Sequence, residues 1–123
     1  MGSRELTESQ IQIQVADWLR LHEANGGFVF FSIPNEALGR ANSKAGLWRM
    51  ARLKRMGLRP GASDLIIIKA GRAYLLEMKA EHGKQSISQV EFEADAIRAG
   101  AKYAVAHSFD EAKKIIEEWA IFA

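Results

Sequence analysis

Apolar residues recur along the chain at helical spacing in four stretches, with short runs of strand length between them. Ile11, Val15, Trp18 and Leu19, with Leu21 as a further candidate, mark one face of a first helix. Thr7 and Gln10 have the form of a capping box that opens it, and Asn25-Gly26-Gly27 ends it after about Ala24. Phe28 to Ile33 is aromatic and β-branched, a strand stopped by Pro34-Asn35. Residues 36–43 read as loop. A second helix is expected over residues 44–56, with Leu47, Trp48, Ala51 and Met56 inward. After a Gly-rich loop, strands are expected at 64–68 and 73–79, then a polar turn at 80–85. Ser86 with Gln89, or Ser88 with Glu91, caps a third helix that buries Val90, Phe92, Ala96 and Ile97 and ends at Gly100. Residues 103–106 form a short strand. Ser108 with Glu111 caps a last helix carrying Ala112, Ile115, Ile116 and Trp119. This order of helices and strands implies an α/β domain, a mixed sheet covered by helices.

Charge breaks the pattern in one place. The stretch DLIIIKAGRAYLLEMKA, residues 64–80, reads as a buried hairpin, yet it carries Asp64, Glu77 and Lys79. With a turn centred on Ala70-Gly71, as a two- or four-residue loop, Ile68 faces Ala73, Ile66 faces Leu75 and Asp64 faces Glu77. Lys79 then shares their face. Two opposed carboxylates repel, and burial raises their pKa or costs several kcal/mol. A divalent cation removes both problems, and hard oxygen ligands at this separation suit Mg²⁺ or Mn²⁺. Lys79 would then hold an attacking water or neutralise a phosphate. The plainer alternative is a Glu77–Lys79 ion pair at a strand end, with Asp64 merely starting the other strand.

Composition narrows the classes. At 123 residues, nearly half of them apolar, the chain is one domain with a real core. It has no cysteine, which excludes disulfides, thiolate metal sites and a cysteine nucleophile. Apolar runs are too short to span a bilayer, no export segment is seen, and a cytoplasmic setting is expected. Residues 1–6 are expected to be disordered or tag-derived. The net charge is +2, but residues 37–63 contain no acid and seven of the seventeen basic residues: Arg40, Lys44, Arg49, Arg52, Lys54, Arg55 and Arg59. Such asymmetry suits a nucleic acid; a solvated helix face is the alternative. Trp48 could stack on a base or pack in the core. Gly83-Lys84-Gln85-Ser86, ahead of a helix, could hold a phosphate or be a plain loop. His22, His82 and His107 show no ligand spacing.

Asp64, twelve intervening residues and Glu77-Met78-Lys79 resemble the D…ExK arrangement of the PD-(D/E)XK nuclease superfamily. Gly61-Ala62-Ser63-Asp64-Leu65, Leu76 to Lys79, Gly83 to Ser86, Gln89, Phe92 and Gly100-Ala101, with Thr7-Glu8 and Gln10, resemble its VRR-NUC branch, in the stand-alone phage form, over roughly residues 7–117. The resemblance implies a restriction-endonuclease-like mixed β-sheet flanked by helices and a metal-dependent DNA endonuclease. In it Asp64, Glu77, Glu8 and the Met78 carbonyl bind Mg²⁺ or Mn²⁺, Lys79 assists the water, and Gln89 orients the lysine or a phosphate. It also implies a homodimer acting on branched DNA such as flaps or Holliday junctions. Ser63 stands where the family has proline, a backbone-shaping position without chemistry.

From the residues alone, Glu8 heads the inward face of the first helix, where it either serves something inside or complements the helix dipole. Glu36 is a rival third carboxylate. Arg40, Lys44, Arg49, Arg52, Arg55 and Lys84 are the expected phosphate contacts. A non-catalytic nucleic-acid-binding module with structural acids is the alternative.

Overall fold

The structure, a computed structural model, describes residues 5–34 and 43–123. Glu36 and Arg40 lie outside them. The Thr7 hydroxyl accepts the Gln10 N–H at 3.2 Å and the Gln10 side chain accepts the Thr7 N–H at 2.9 Å, so the capping box opens helix α1, Glu8–Gly26. Then follow β1 (Phe28–Ser32), α2 (Lys44–Arg55), β2 (Leu65–Lys69), β3 (Arg72–Met78), α3 (Ile87–Arg98), β4 (Lys102–Ala106) and α4 (Phe109–Glu118). Of the two caps offered before α3, Ser86 with Gln89 is used.

The sheet order is β1-β2-β3-β4, antiparallel except for the parallel β3–β4 pair. It is thus a mixed sheet in an α/β domain, with α3 as the β3–β4 crossover. Lys69 opposite Arg72 closes the hairpin in two residues, with φ of 50° at Ala70 and 77° at Gly71. Positive φ at both central positions is the turn whose twist matches the strands. It gives the expected register, Ile66 against Leu75 and Ile68 against Ala73.

One sheet face is fully packed. Leu65, Ile67, Leu76, Met78 and Ala106 meet Ile11, Val15 and Leu19 of α1 and Ala112 and Ile116 of α4, all of them buried. Trp18, His22, Phe28 and Phe122 close one end of this core in edge and stacked contacts. The Lys69 ammonium donates to the carbonyls of Ala120 at 2.9 Å and Ile121 at 2.6 Å, tying the hairpin to the chain just past α4.

The other face carries Phe31, Ile66, Leu75 and Tyr103 in one cross-strand row. Here α3 covers the β3–β4 side, with Phe92 edge-on to Tyr103 at 6.1 Å. Val29, Phe31 and Ile68, over β1 and β2, are exposed.

Two helical faces differ from expectation. Leu47, Trp48, Ala51 and Met56 of the second helix are exposed rather than buried, Trp48 at 72%. Among the described residues no helix or strand packs extensively on α2, so its apolar side has nothing to bury against. On α3 the half-buried face is Gln89, Phe92, Glu93 and Ala96, while Val90 and Ile97 turn outward. Leu21 is also exposed.

Ala70 holds a left-handed conformation that costs a β-carbon-bearing residue roughly 1–2 kcal/mol. Ala70→Asn or Ala70→Gly is expected to raise the melting temperature by a few degrees, about 0.5–1 kcal/mol, read by thermal unfolding. An unchanged or lower midpoint would contradict the turn conformation.

Candidate active site

The chemistry converges where β2 begins and β3 ends. Asp64 immediately precedes β2, and its carbonyl accepts the Ile33 N–H at 3.1 Å, which extends the β1–β2 ladder and fixes its backbone. Its Oδ2 accepts the Met78 N–H at 2.8 Å. Glu77 is the last but one residue of β3 and is only 1% exposed. Lys79 follows, its N–H given to the Ala106 carbonyl at 2.9 Å, so β4 holds the lysine backbone. The Lys79 ammonium sits 3.8 Å from Glu77 Oε2 and 3.6 Å from Glu8 Oε1. Glu8, in the first turn of α1, therefore does reach the site from the opposite layer.

A loop brings in the fourth element. Gly61 has φ of +83°, and a β-carbon there would lie 2.3 Å from the Ser88 carbonyl oxygen and 2.7 Å from the Gln89 nitrogen. Only glycine lets residues 57–63 close on the first turn of α3. Arg59 reinforces the contact, bonded to Asp95 at 2.7 Å and lying over the Phe92 ring. With α3 so placed, the Gln89 amide donates to Glu77 Oε2 at 2.7 Å while its own oxygen caps Ser86 at 2.8 Å. Gln89 thus grips the buried acid rather than the lysine.

The electrostatics are unusual. Burial, reinforced by the Asp64 charge, pushes Glu77 up to about 8 against the opposing pull of Lys79. Asp64 is also raised, chiefly by burial, with Glu8 adding and the Met78 N–H and Lys79 resisting. Burial and the nearby Glu77 charge raise the Tyr103 hydroxyl, which stays neutral. Glu77 Oε1 is buried and has no hydrogen-bond partner. Buried polar atoms without partners are rare in folded proteins. A hard divalent cation fits this orphaned oxygen and the acidic oxygens around it; Asp64, Glu77, Glu8 and the Met78 carbonyl are the groups that could hold one.

These groups line a cleft of about 330 Å³, with Gln12, Met50, Pro60 and Ser86 on its walls. Gln12 lies one helical turn after Glu8, a placement visible in the α1 periodicity; Gly61 was marked only as part of the motif that runs into Asp64, and nothing local to the sequence marks Met50 as part of the site. A roomier groove of about 650 Å³ between α1 and β1 touches the chemistry at Asp64. Lys44, Arg49, Arg52 and Arg55 are exposed on α2, the helix that gives Met50 to the cleft, and Lys84 is exposed in the turn before α3. Trp48 is exposed among the α2 arginines instead of packing in the core.

Of the histidines, His107 ties Gly83 to Glu111 through ring contacts of 3.2 and 3.4 Å. His22 stacks on Phe122. His82, with Glu5 and Glu81, places possible ligand atoms within 4.8 Å of one another, but all three are exposed. The Glu8, Asp64 and Glu77 carboxylates are spread more widely, Glu8 being drawn to Lys79.

The sequence matches no protein-family model, and no curated protein matches it. Solved structures do. A structure described as a VRR_NUC domain protein superposes with a TM-score of 0.74 over 98% of this chain and 93% of that one, at 21% identity. A second, described as a VRR_NUC domain, gives 0.57 over 93% of this chain and 99% of that one, at 20% identity. The chain therefore has the fold of VRR_NUC domain proteins over nearly its whole length.

Because the folded protein holds the Glu77 proton more tightly than an unfolded glutamate near 4.5, the stability linked to it is complete in acid and is lost as pH climbs through about 8. Melting of the metal-free protein should thus fall between about pH 5 and pH 9, and millimolar Mg²⁺ or Mn²⁺ should recover the alkaline loss by replacing the proton. Glu77→Gln should flatten the pH dependence and remove the metal response. An identical pH profile in the variant would exclude Glu77 as the source.

Proposed function

We propose that this chain is a metal-dependent DNA endonuclease of the VRR-NUC type, similar to the stand-alone phage members. The observation that carries the reading is the buried, unpartnered Glu77 Oε1 beside Asp64, in a domain with the VRR_NUC fold. Asp64, Glu77 and Glu8, with the Met78 carbonyl, would hold Mg²⁺ or Mn²⁺. Such an ion, when bound, supplies a water of lowered pKa and neutralises charge on the scissile phosphate.

The remaining roles belong to the chain. Gln89 fixes one oxygen of Glu77 and leaves the other free to face a ligand. The Met78 N–H does the same for Asp64. Lys79, held between Glu8 and Glu77, carries the positive charge nearest the cleft, where it would orient the attacking water or steady a phosphate oxygen. Lys44, Arg49, Arg52 and Arg55 of α2, with Lys84, would bind neighbouring phosphates, and Arg40 is proposed alongside them. Branched DNA is the proposed substrate and a homodimer the proposed assembly, with a cytoplasmic setting.

Duplex, single-stranded, flap and four-way-junction DNA incubated with Mg²⁺ or Mn²⁺ should yield cut product, with junction or flap preferred. Asp64→Asn and Lys79→Ala should lower the rate at least about 100-fold, the scale of losing a group that acts at the reacting phosphate. Full cleavage by either variant would remove the assignment. Metal-independent binding with no cut on any substrate would instead make the chain a nucleic-acid-binding module.

Affinity for DNA should fall linearly in log–log form with salt. Replacing Arg49, Arg52 and Arg55 together by Ala should lessen the slope by about 2–3, each phosphate contact contributing about 0.9. The check is fluorescence anisotropy on an Asp64→Asn background, so that cleavage does not intervene. An unaltered slope would take α2 out of the DNA interface.

A further inference from the structure

The groove between α1 and β1 takes no part in the chemistry described so far, but it opens into the cleft. Ser9, Gln12 and Asp64 line both, so the two spaces are continuous. The Ile33 N–H, bonded to the Asp64 carbonyl at 3.1 Å, sets a groove wall directly beside a site acid. On α1 the groove follows Ser9, Gln12, Ile13, Ala16, Arg20 and Glu23, one stripe of the helix. From Ser9 to Arg20 that stripe rises about 16 Å. A volume of about 650 Å³ is in the range of spaces that hold ligands.

The walls of this groove are apolar for most of its length. Ile13, Ala16, Phe30 and Ile33 form them, with Gln12 and Ser32 as the polar edge. Ile13 is 59% exposed, while Ile11 and Val15 on the same helix are buried in the core. Charge is confined to the two ends, Asp64 at the cleft and Arg20 with Glu23 at the other. Arg20 pairs with Asp17 and lies 5.9 Å from the centre of the Phe30 ring, and Glu23 accepts the Phe30 N–H at 3.4 Å. Both far-end charges are thus tied to the groove's own walls.

We propose that this groove receives unpaired nucleotides of the substrate, a single-stranded arm running from the scissile phosphate with its bases against Ile13, Phe30 and Ile33. The inference rests on the nucleic-acid reading given above and narrows its substrate to DNA with an unpaired arm at the cut. A duplex turns its phosphates outward and keeps its base faces stacked inside, so apolar walls offer it nothing. An unpaired nucleotide presents a bare base face, which apolar and aromatic side chains take without regard to sequence. The opening onto Asp64 selects among occupants, because whatever fills the groove ends at the candidate metal position, as the strand carrying the scissile phosphate must. The basic residues divide the work. Helix α2 lines the cleft through Met50 and contributes nothing to the groove, so its arginines serve the duplex part. Contacts there weaken with salt, whereas apolar contacts to the arm do not.

Fluorescence anisotropy on the Asp64→Asn background with Mg²⁺ tests the assignment, comparing a blunt duplex with the same duplex carrying a single-stranded arm. The arm is expected to tighten binding at least about tenfold, the scale of one stacked base, and an arm of abasic sites should lose that gain. Ile13→Glu should abolish the gain with unchanged far-ultraviolet circular dichroism, since the position is exposed. Leu21→Glu makes the same charge change at an exposed position of α1 outside the groove and should keep the gain, as should Ile13→Leu. No gain from the arm, or a gain that survives Ile13→Glu, overturns the inference. A gain that an abasic arm retains reports phosphate contacts alone and overturns it too. The cleavage panel separates the two readings. Cut product without any gain from the arm leaves the nuclease standing and removes the groove, and a gain without cut product does the reverse.

Discussion

The structure around β3 depends on one constraint, a carboxylate buried beside another. Glu77 is enclosed as fully as the core aliphatics, yet it faces Asp64 and leaves one oxygen without a partner. An ionised group in that position is unfavourable, and much of the local architecture limits the damage. Gln89 takes one oxygen, the Met78 N–H steadies Asp64, and Lys79 approaches from the next position along the chain. The glycine at 61 and the Arg59–Asp95 pair exist in the same service, since they seat the helix that carries Gln89. Four separate segments converge on two acids that a purely structural hairpin would replace with aliphatics.

The hairpin was legible because its signals are local. Ala70-Gly71 between two apolar runs sets a register, and the register alone puts Asp64 and Glu77 opposite each other. Glu8 was legible only in part: its place at the head of an apolar stripe left a role inside and a helix-dipole role both open, and only the resemblance pointed to the first. The caps at Thr7, Ser86 and Ser108 are local too, and each is used. The mixed sheet follows from the order of elements, and the VRR_NUC fold agrees with the resemblance carried by the motif residues.

Where the sequence misled, it did so in one way. Periodicity reports that a helix has an apolar side; it does not report that anything in the same chain lies against it. On α2 the apolar side is bare, and on α3 the stripe through Val90 and Ile97 points outward while Phe92 and Ala96 face the sheet. The close approach of Gly61 to Ser88 and the grip of Gln89 on Glu77 join residues far apart in the chain, so no local pattern could announce them.

Charge balance links the site to its proposed chemistry. Three carboxylates around one ammonium leave two negative charges at the cleft, Glu77 buried within it and Glu8 half exposed at its edge. A single proton on Glu77, which its raised pKa permits near neutrality, removes one of them and leaves the other. One divalent cation removes both and satisfies the orphaned oxygen as well. A proton and a bound cation would therefore compete for the same place. A fold that merely needed to be stable would have no use for acids whose charge it cannot itself complete, whereas a site that must hold an ion and still admit a phosphate needs that deficit.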